Sequence, residues 1–229
     1  MVSTQLTDRR RLRHAQTREQ IVVEALQIMR TQGVGGLSLG ELARRIGVRT
    51  PSLYTYFDSK AALYDELFRR GWQECVEDAR RHLERLGPVT SQTSAGERLL
   101  DLNATFVRWA LAHPELSQLM LFRPVPLWEP TESAYEPAVR LFGMLEEEVR
   151  ACQAQGLVLQ DADLAEMTEN IANAAAGVIA RQLANEPGAS YERGRASRHY
   201  PALMRSVCRP YLTRPTGRST SPDPIGGAR

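Results

Sequence analysis

GVRTPSLYTYFDSKAALYDEL, residues Gly47 to Leu67, packs a turn and two helix starts into one short stretch. Gly47 permits a tight turn. Thr50 reads as the cap of a helix that begins at Pro51, where the missing N–H costs nothing and the fixed φ helps. Asp58 or Ser59 closes that helix and opens the next. Val48, Leu53 and Phe57 give it one apolar face, and its other face carries Arg49, Thr50, Ser52, Tyr54, Thr55 and Tyr56, with Lys60 just beyond.

Upstream, Ser38 and Glu41 form an S-x-x-E start, with Leu39, Leu42, Ala43 and Ile46 apolar behind it and Gly47 ending it. Before that, Ile21, Val22, Ala25, Leu26 and Met29 recur at spacings of three and four, which makes one helical stripe. Thr17 with Gln20 reads as the start of that helix, and Gly33, Gly35 and Gly36 stop it. Two short helices joined at Gly47 and packed on a third make a helix-turn-helix unit over residues 15–60. Ala43 is small where the two helices approach. With the apolar residues committed to that core, the outer face of the third helix holds hydrogen-bonding side chains at a helix start, where free N–H groups favour phosphate. A helix of this diameter fits the DNA major groove; its first residues meet base edges, and the tyrosines and Lys60 reach phosphates. Residues 1–14, with Arg9, Arg10, Arg11 and Arg13, read as a basic flexible arm.

Beyond Lys60 the periodicity predicts a second all-helical domain over 61–212. Helices are expected at about 61–86, 97–113 and 115–122. An irregular loop, RPVPLWEP, interrupts them, and helices resume at 135–155, 163–186 and 197–212. Residues 213–229, rich in Pro, Gly and Ser, read as a disordered tail.

Composition agrees with a globular chain. Hydrophobic residues make up 42% and the formal net charge is +2. That small net charge hides an asymmetry: residues 1–60 carry ten basic against five acidic side chains, whereas residues 61–212 carry sixteen against twenty-one. A cationic head on an acidic body suits a polyanion partner. No apolar run approaches the ~20 residues that span a bilayer, and the basic N-terminus is not followed by an apolar segment. Cys75, Cys152 and Cys208 are odd in number and widely spaced, which argues against a disulfide framework. A reducing cytoplasm is the expected setting.

The run LSLGELARRIGVRTPSLYTYFDSKAALYDEL resembles the DNA-binding domain of the TetR family of bacterial transcriptional regulators, over about residues 16–68. Gly47-Val48, Leu53-Tyr54, Phe57 and Ser59-Lys60 all fall at the family's spacing. The resemblance implies that Thr50, Pro51, Ser52 and Tyr54 lie in the groove, and that Tyr56, Lys60, Thr17 and Ser38 hold phosphates. Gly40 stands where some members carry a base-contacting arginine, which shifts readout towards the third helix. The resemblance also implies an all-α architecture: a three-helix DNA-binding domain followed by a helical ligand-binding and dimerisation domain. FVRWALAHPELSQLML looks like a motif of one C-terminal subgroup. The Ala-rich helix NIANAAAGVIARQLAN and the final helix would form a homodimer interface, which two heads on a palindromic double-stranded DNA operator require.

A small-molecule effector would sit in the helical core. Candidate lining residues are Trp72, Phe106, Trp109, His113, Met120, Phe122, Trp128, Phe142, Met167 and Asn170, although an aromatic or Met at helical spacing is by default core. Asn170 and Asn173 are more informative, because a buried amide needs a partner. Enzymatic signatures are missing: there is no Gly-rich phosphate loop, no H-E-x-x-H, no G-x-S-x-G and no paired Cys or His at metal spacing. No cofactor, metal or catalytic residue is expected. The expectation is a repressor released from its operator by an effector; the alternative is a helix-turn-helix regulator with no effector, governed by a protein partner or by abundance.

Overall fold

The structure, a computed structural model, describes residues 2–213. The expected disordered tail therefore lies outside the described residues except for Thr213, which closes the fold: its N–H and hydroxyl both donate to the Leu157 carbonyl, at 3.1 and 3.2 Å.

The described residues form helices α1 (Val2–Gln32), α2 (Leu39–Ile46), α3 (Thr50–Leu53), α4 (Lys60–Leu86), α5 (Ala95–Ala112), α6 (Pro114–Phe122), α7 (Glu132–Ala154), α8 (Leu164–Asn185) and α9 (Tyr200–Cys208). Among these residues the only extended pairing is an isolated antiparallel bridge between Val158 and Leu212. Among the described residues no helix is long and apolar enough to cross a membrane. The fold is all-α, with a helix-turn-helix head followed by a larger helical body.

The head closes over Ile21, Val22, Ala25, Ile28 and Met29 of α1, met by Leu42, Ala43, Leu53 and Phe57, all buried. The body packs Leu63, Leu67 and Phe68 of α4 into one core with Leu99, Val107, Leu119, Val149, Met167, Ile171 and Tyr200. Gly71 lets α4 and α6 approach, since a Cβ there would collide with the Met120 sulfur. Gln182 pins the loop after α8: its carbonyl accepts from Ala196 and Ser197 N–H, and its amide donates to the Glu186 carbonyl. The three cysteines are free and buried, and burial pushes the thiols of Cys152 and Cys208 up to about 11.

Helix starts account for the differences from expectation. Thr17 lies inside α1 rather than capping it, and helix runs unbroken from Val2 where a flexible arm was expected. No Gly or Pro interrupts residues 2–32, so extending an existing helix needs no new nucleus. Ser38 occupies the N-cap of α2, but its hydroxyl makes no cap bond. Glu41, its expected capping-box partner, is instead gripped by Arg44 and Arg45 at 2.8 Å, which holds its carboxyl down at about 2. Arg49, not Thr50, takes the cap position of α3. Ser59 does cap α4, accepting from Ala62 N–H at 3.0 Å. The last expected helix is split into a 3-10 turn at Ser197–His199, α9, and a second turn at Arg209–Tyr211, because Pro201 and Pro210 cannot donate inside one continuous helix.

Head and body are joined by ion pairs. Glu66 on α4 is buried, and its carboxylate accepts from Arg18 of α1 at 3.1 Å, Arg69 at 3.2 Å and Arg70 at 2.7 Å; Arg70 reaches on to Glu19 of α1 at 2.6 Å. Arg30, near the far end of α1, donates to buried Glu115 of α6 at 2.7 Å. Burial pushes the Glu66 carboxyl up, but the three guanidiniums over-compensate and bring it down to about 2. A carboxyl lowered by folding contributes stability that is present above its unfolded value, near 4.5, and is lost as pH falls towards 2. Glu66→Gln is expected to remove about 2–4 kcal/mol at pH 7, read by urea titration. That gap should narrow steadily below pH 4.5; a gap that stays constant down to pH 3 would show that the network does not carry the difference.

Candidate nucleic-acid interface and a cavity in the helical body

Gly47 adopts the left-handed conformation, φ +73°, that ends α2, and Val48 N–H closes the turn on the Ala43 carbonyl at 3.0 Å. The chain then makes a single α-helical turn. It continues through hydrogen bonds from Tyr56 and Phe57 N–H to the Leu53 carbonyl, at 2.9 and 3.0 Å. Leu53 and Phe57 point into the head core. Arg49, Pro51, Ser52, Tyr54 and Thr55 are left exposed, and Thr50 and Tyr56 half-buried.

These side chains are not equivalent. The Thr55 hydroxyl donates to the Ser52 carbonyl at 2.7 Å, so its proton is already committed. Tyr56 stacks on His14 with ring centroids 4.6 Å apart, and His14 Nε2 lies 3.2 Å from the Thr55 carbonyl. Half the surface of Tyr54 faces solvent. Lys60 lies with Nζ 5.4 Å from the Tyr64 ring centroid. Ser38 is exposed at the start of α2, its hydroxyl 3.8 Å from where a Cβ at Gly40 would stand, and Thr17 is half-buried on α1, three residues after His14. His14 is a contact the sequence reading missed. Its only local signal is an aromatic ring following basic residues, and nothing in helical periodicity pairs it with a tyrosine 42 positions on.

The head's arginines divide into two groups. Arg18, Arg30, Arg44 and Arg45 are committed to Glu66, Glu115 and Glu41. Among the described residues no ion pair within 4 Å involves Arg49 or Lys60. Uncompensated cations beside exposed hydroxyls and a phenol form a surface suited to phosphate and base edges.

The body holds a cavity of about 580 Å³ between α4, α5, α7 and α8, with Leu121 of α6 at its edge. Trp72 of α4 stacks on Phe106 of α5, centroids 5.7 Å apart and planes 13° apart, and Phe142 of α7 completes an aromatic wall. Trp72 Nε1 is buried with no hydrogen-bond partner. Asn103, Thr105, Asn173, Glu146 and Glu169 are polar members of the lining.

Of the ten expected lining residues, the structure brings Trp72, Phe106 and Phe142 together here. Trp109 instead donates to Glu74 at 3.2 Å and stacks on His113, whose Nδ1 lies 2.9 Å from the Trp109 carbonyl. Trp128 donates to Asp65 at 3.0 Å and packs against Tyr64 and Phe68. Met120 and Met167 are buried in the core, Phe122 is exposed, and Asn170 is exposed with its amide donating to the Tyr211 hydroxyl at 2.8 Å. The reading missed Tyr135, Val139, Glu146 and Glu169. Polar or solvent-side helix positions look like surface until neighbouring helices leave a gap beside them.

Comparison with known proteins gives concordant results. The sequence model described as bacterial regulatory proteins, tetR family, matches residues 21–67, and that described as the tetracyclin repressor-like C-terminal domain matches residues 99–225. The class C tetracycline repressor protein of Escherichia coli is 42% identical over 50 residues, which cover 22% of this chain and 23% of that protein. The chain spans at most about half the length of the curated relatives it matches. Among solved structures, a protein of unknown function from Rhodococcus sp. RHA1 aligns with TM-score 0.69 and 23% identity over 86% of this chain and 95% of that one. The transcriptional regulator FadR from Bacillus subtilis, solved in complex with stearoyl-CoA, aligns with TM-score 0.61 and 14% identity over 85% and 97%. At these identities the likeness concerns the fold.

Proposed function

This chain belongs to the TetR family of bacterial regulatory proteins, DNA-binding transcriptional regulators, and on that premise we propose that it is a homodimeric repressor released from a palindromic operator by a small-molecule effector. Thr50, Pro51, Ser52 and Tyr54 enter the major groove, while Tyr56, Lys60, Thr17 and Ser38 position the head on phosphates. Arg49 and the exposed arginines of α1 add salt-dependent attraction. The protein works where its operator is, in the cytoplasm.

The observation that carries the effector reading is that α4 serves both sites. Its first turn follows the reading segment directly, and Trp72, three turns on, is part of the cavity wall. The Glu66 network ties α4 to α1, and Arg30–Glu115 ties α1 to α6, whose Leu121 also lines the cavity. A ligand that fits one placement of α4 and α6 better than another shifts the head between placements. Affinity for DNA falls when the favoured one spaces the two reading segments wrongly. The stearoyl-CoA complex of FadR supports a ligand role for this fold. The dimer is formed by α8 and α9, where Gly177 is exposed with open space at its Cβ position and Leu203 is an exposed apolar side chain.

Fluorescence anisotropy with the DNA upstream of the coding region, at several salt concentrations and against a scrambled duplex, should give specific, salt-sensitive binding. Tyr54→Ala and Lys60→Ala are expected to weaken binding about tenfold on every sequence, whereas Ser52→Ala and Thr50→Ala should mainly change which bases are preferred, by about 1–3 kcal/mol per position. Equal binding by wild type and Tyr54→Ala would contradict this docking. Sedimentation should find a dimer at micromolar concentration. The double change Gly177→Arg with Leu203→Glu should yield monomers with operator affinity greatly reduced; a variant that stays dimeric would move the interface elsewhere.

A further inference from the structure

The cavity between α4, α5, α7 and α8 has an uneven charge lining. Its walls are mostly carbon and include the stacked rings of Trp72 and Phe106 together with Phe142 and Tyr135. Two charged side chains line it, half-buried Glu146 on α7 and exposed Glu169 on α8, and the lining contains no Arg, Lys or His. Glu148, one residue pair along α7, is already neutralised by Arg98 at 2.6 Å, whereas among the described residues neither Glu146 nor Glu169 has a cation within 4 Å. An anion entering this space would give up water to face two carboxylates with no compensating charge. A cation would meet both carboxylates together with the aromatic rings of Trp72 and Phe142, whereas Tyr135 already carries the Arg123 guanidinium, 5.6 Å from its ring centroid. The cavity volume, about 580 Å³, is within the range of small-molecule sites.

Resting on the reading of this cavity as the effector site, we propose that the effector is a lipophilic cation, a bulky and largely aromatic molecule with one positive charge, and that fatty acids and other anions are rejected. The site takes the aromatic body between Trp72 and Phe142 and leaves the charge towards Glu146 and Glu169.

The test is isothermal titration of the full-length protein with tetraphenylphosphonium and tetraphenylborate, which share size and shape and differ in the sign of their charge. The phosphonium is expected to bind at least tenfold more tightly. The double variant Glu146→Gln with Glu169→Gln should lose most of that preference while melting like wild type. Gly143→Leu, whose Cβ meets no atom within 4 Å and whose side chain would fill the lining, should abolish binding of both ions. Borate binding as tightly as phosphonium, or a preference that survives in the double variant, would overturn the charge class and leave the effector site standing. Binding of neither ion, or binding untouched by Gly143→Leu, would remove the cavity as the site and with it the effector reading.

Discussion

One buried carboxylate fixes the relation between the two halves of the molecule. Glu66 is 8% exposed, and a carboxylate so far from water is tolerated only if cations replace the lost hydration. Two of those cations come from its own helix, but Arg18 has to be brought in from α1. The same condition recurs near the C-terminal end of α1, where Arg30 is the partner of buried Glu115. The two contact points are about 18 Å apart along the helix, at 1.5 Å per residue. A helix fastened at its middle and near its C-terminal end cannot pivot against α4 and α6 without stranding a buried charge.

That constraint gives the cavity its reach. Trp72 stands about 9 Å along α4 from Glu66, and Leu121 stands about 9 Å along α6 from Glu115, so both fastened helices continue into the lining. The gap is a shortfall of side-chain volume between helices that are otherwise tightly packed, at a place lined by residues of both α4 and α6. Gly71 brings α4 and α6 into close contact beside it, which leaves little slack for either helix to move alone.

The charge asymmetry of the chain takes on a different meaning in three dimensions. Much of the head's positive charge is spent internally: Arg44 and Arg45 hold Glu41, and Arg18 and Arg30 hold the body. The cations left beside the reading segment are few, among them Arg49 and Lys60, and hydroxyls, a phenol and backbone outnumber them. A surface of this kind is suited to base edges as well as to phosphate charge.

The sequence by itself determined what local physics dictates. Gly47 with its positive φ, the Ser59 cap, the apolar faces of α1 and α2, the burial of Leu53 and Phe57, and the all-helical body between proline and glycine stops follow from backbone conformation and a period of 3.6 residues. The exposed polar face of α3 and the turn after it followed by subtraction, because the apolar residues were already committed to the core. Where local signals compete, the sequence was ambiguous: Thr17 with Gln20 looks like a helix start, yet helix continues through it since nothing upstream breaks it. The tertiary structure alone decided which residues meet. No periodicity pairs His14 with Tyr56, or Arg18 with Glu66, because those contacts depend on the angles at which helices cross. The same holds for the cavity, where Trp72 lines a void and Trp109 does not. A void belongs to no single segment; it is the space left after five helices have been placed, and only their packing can define it.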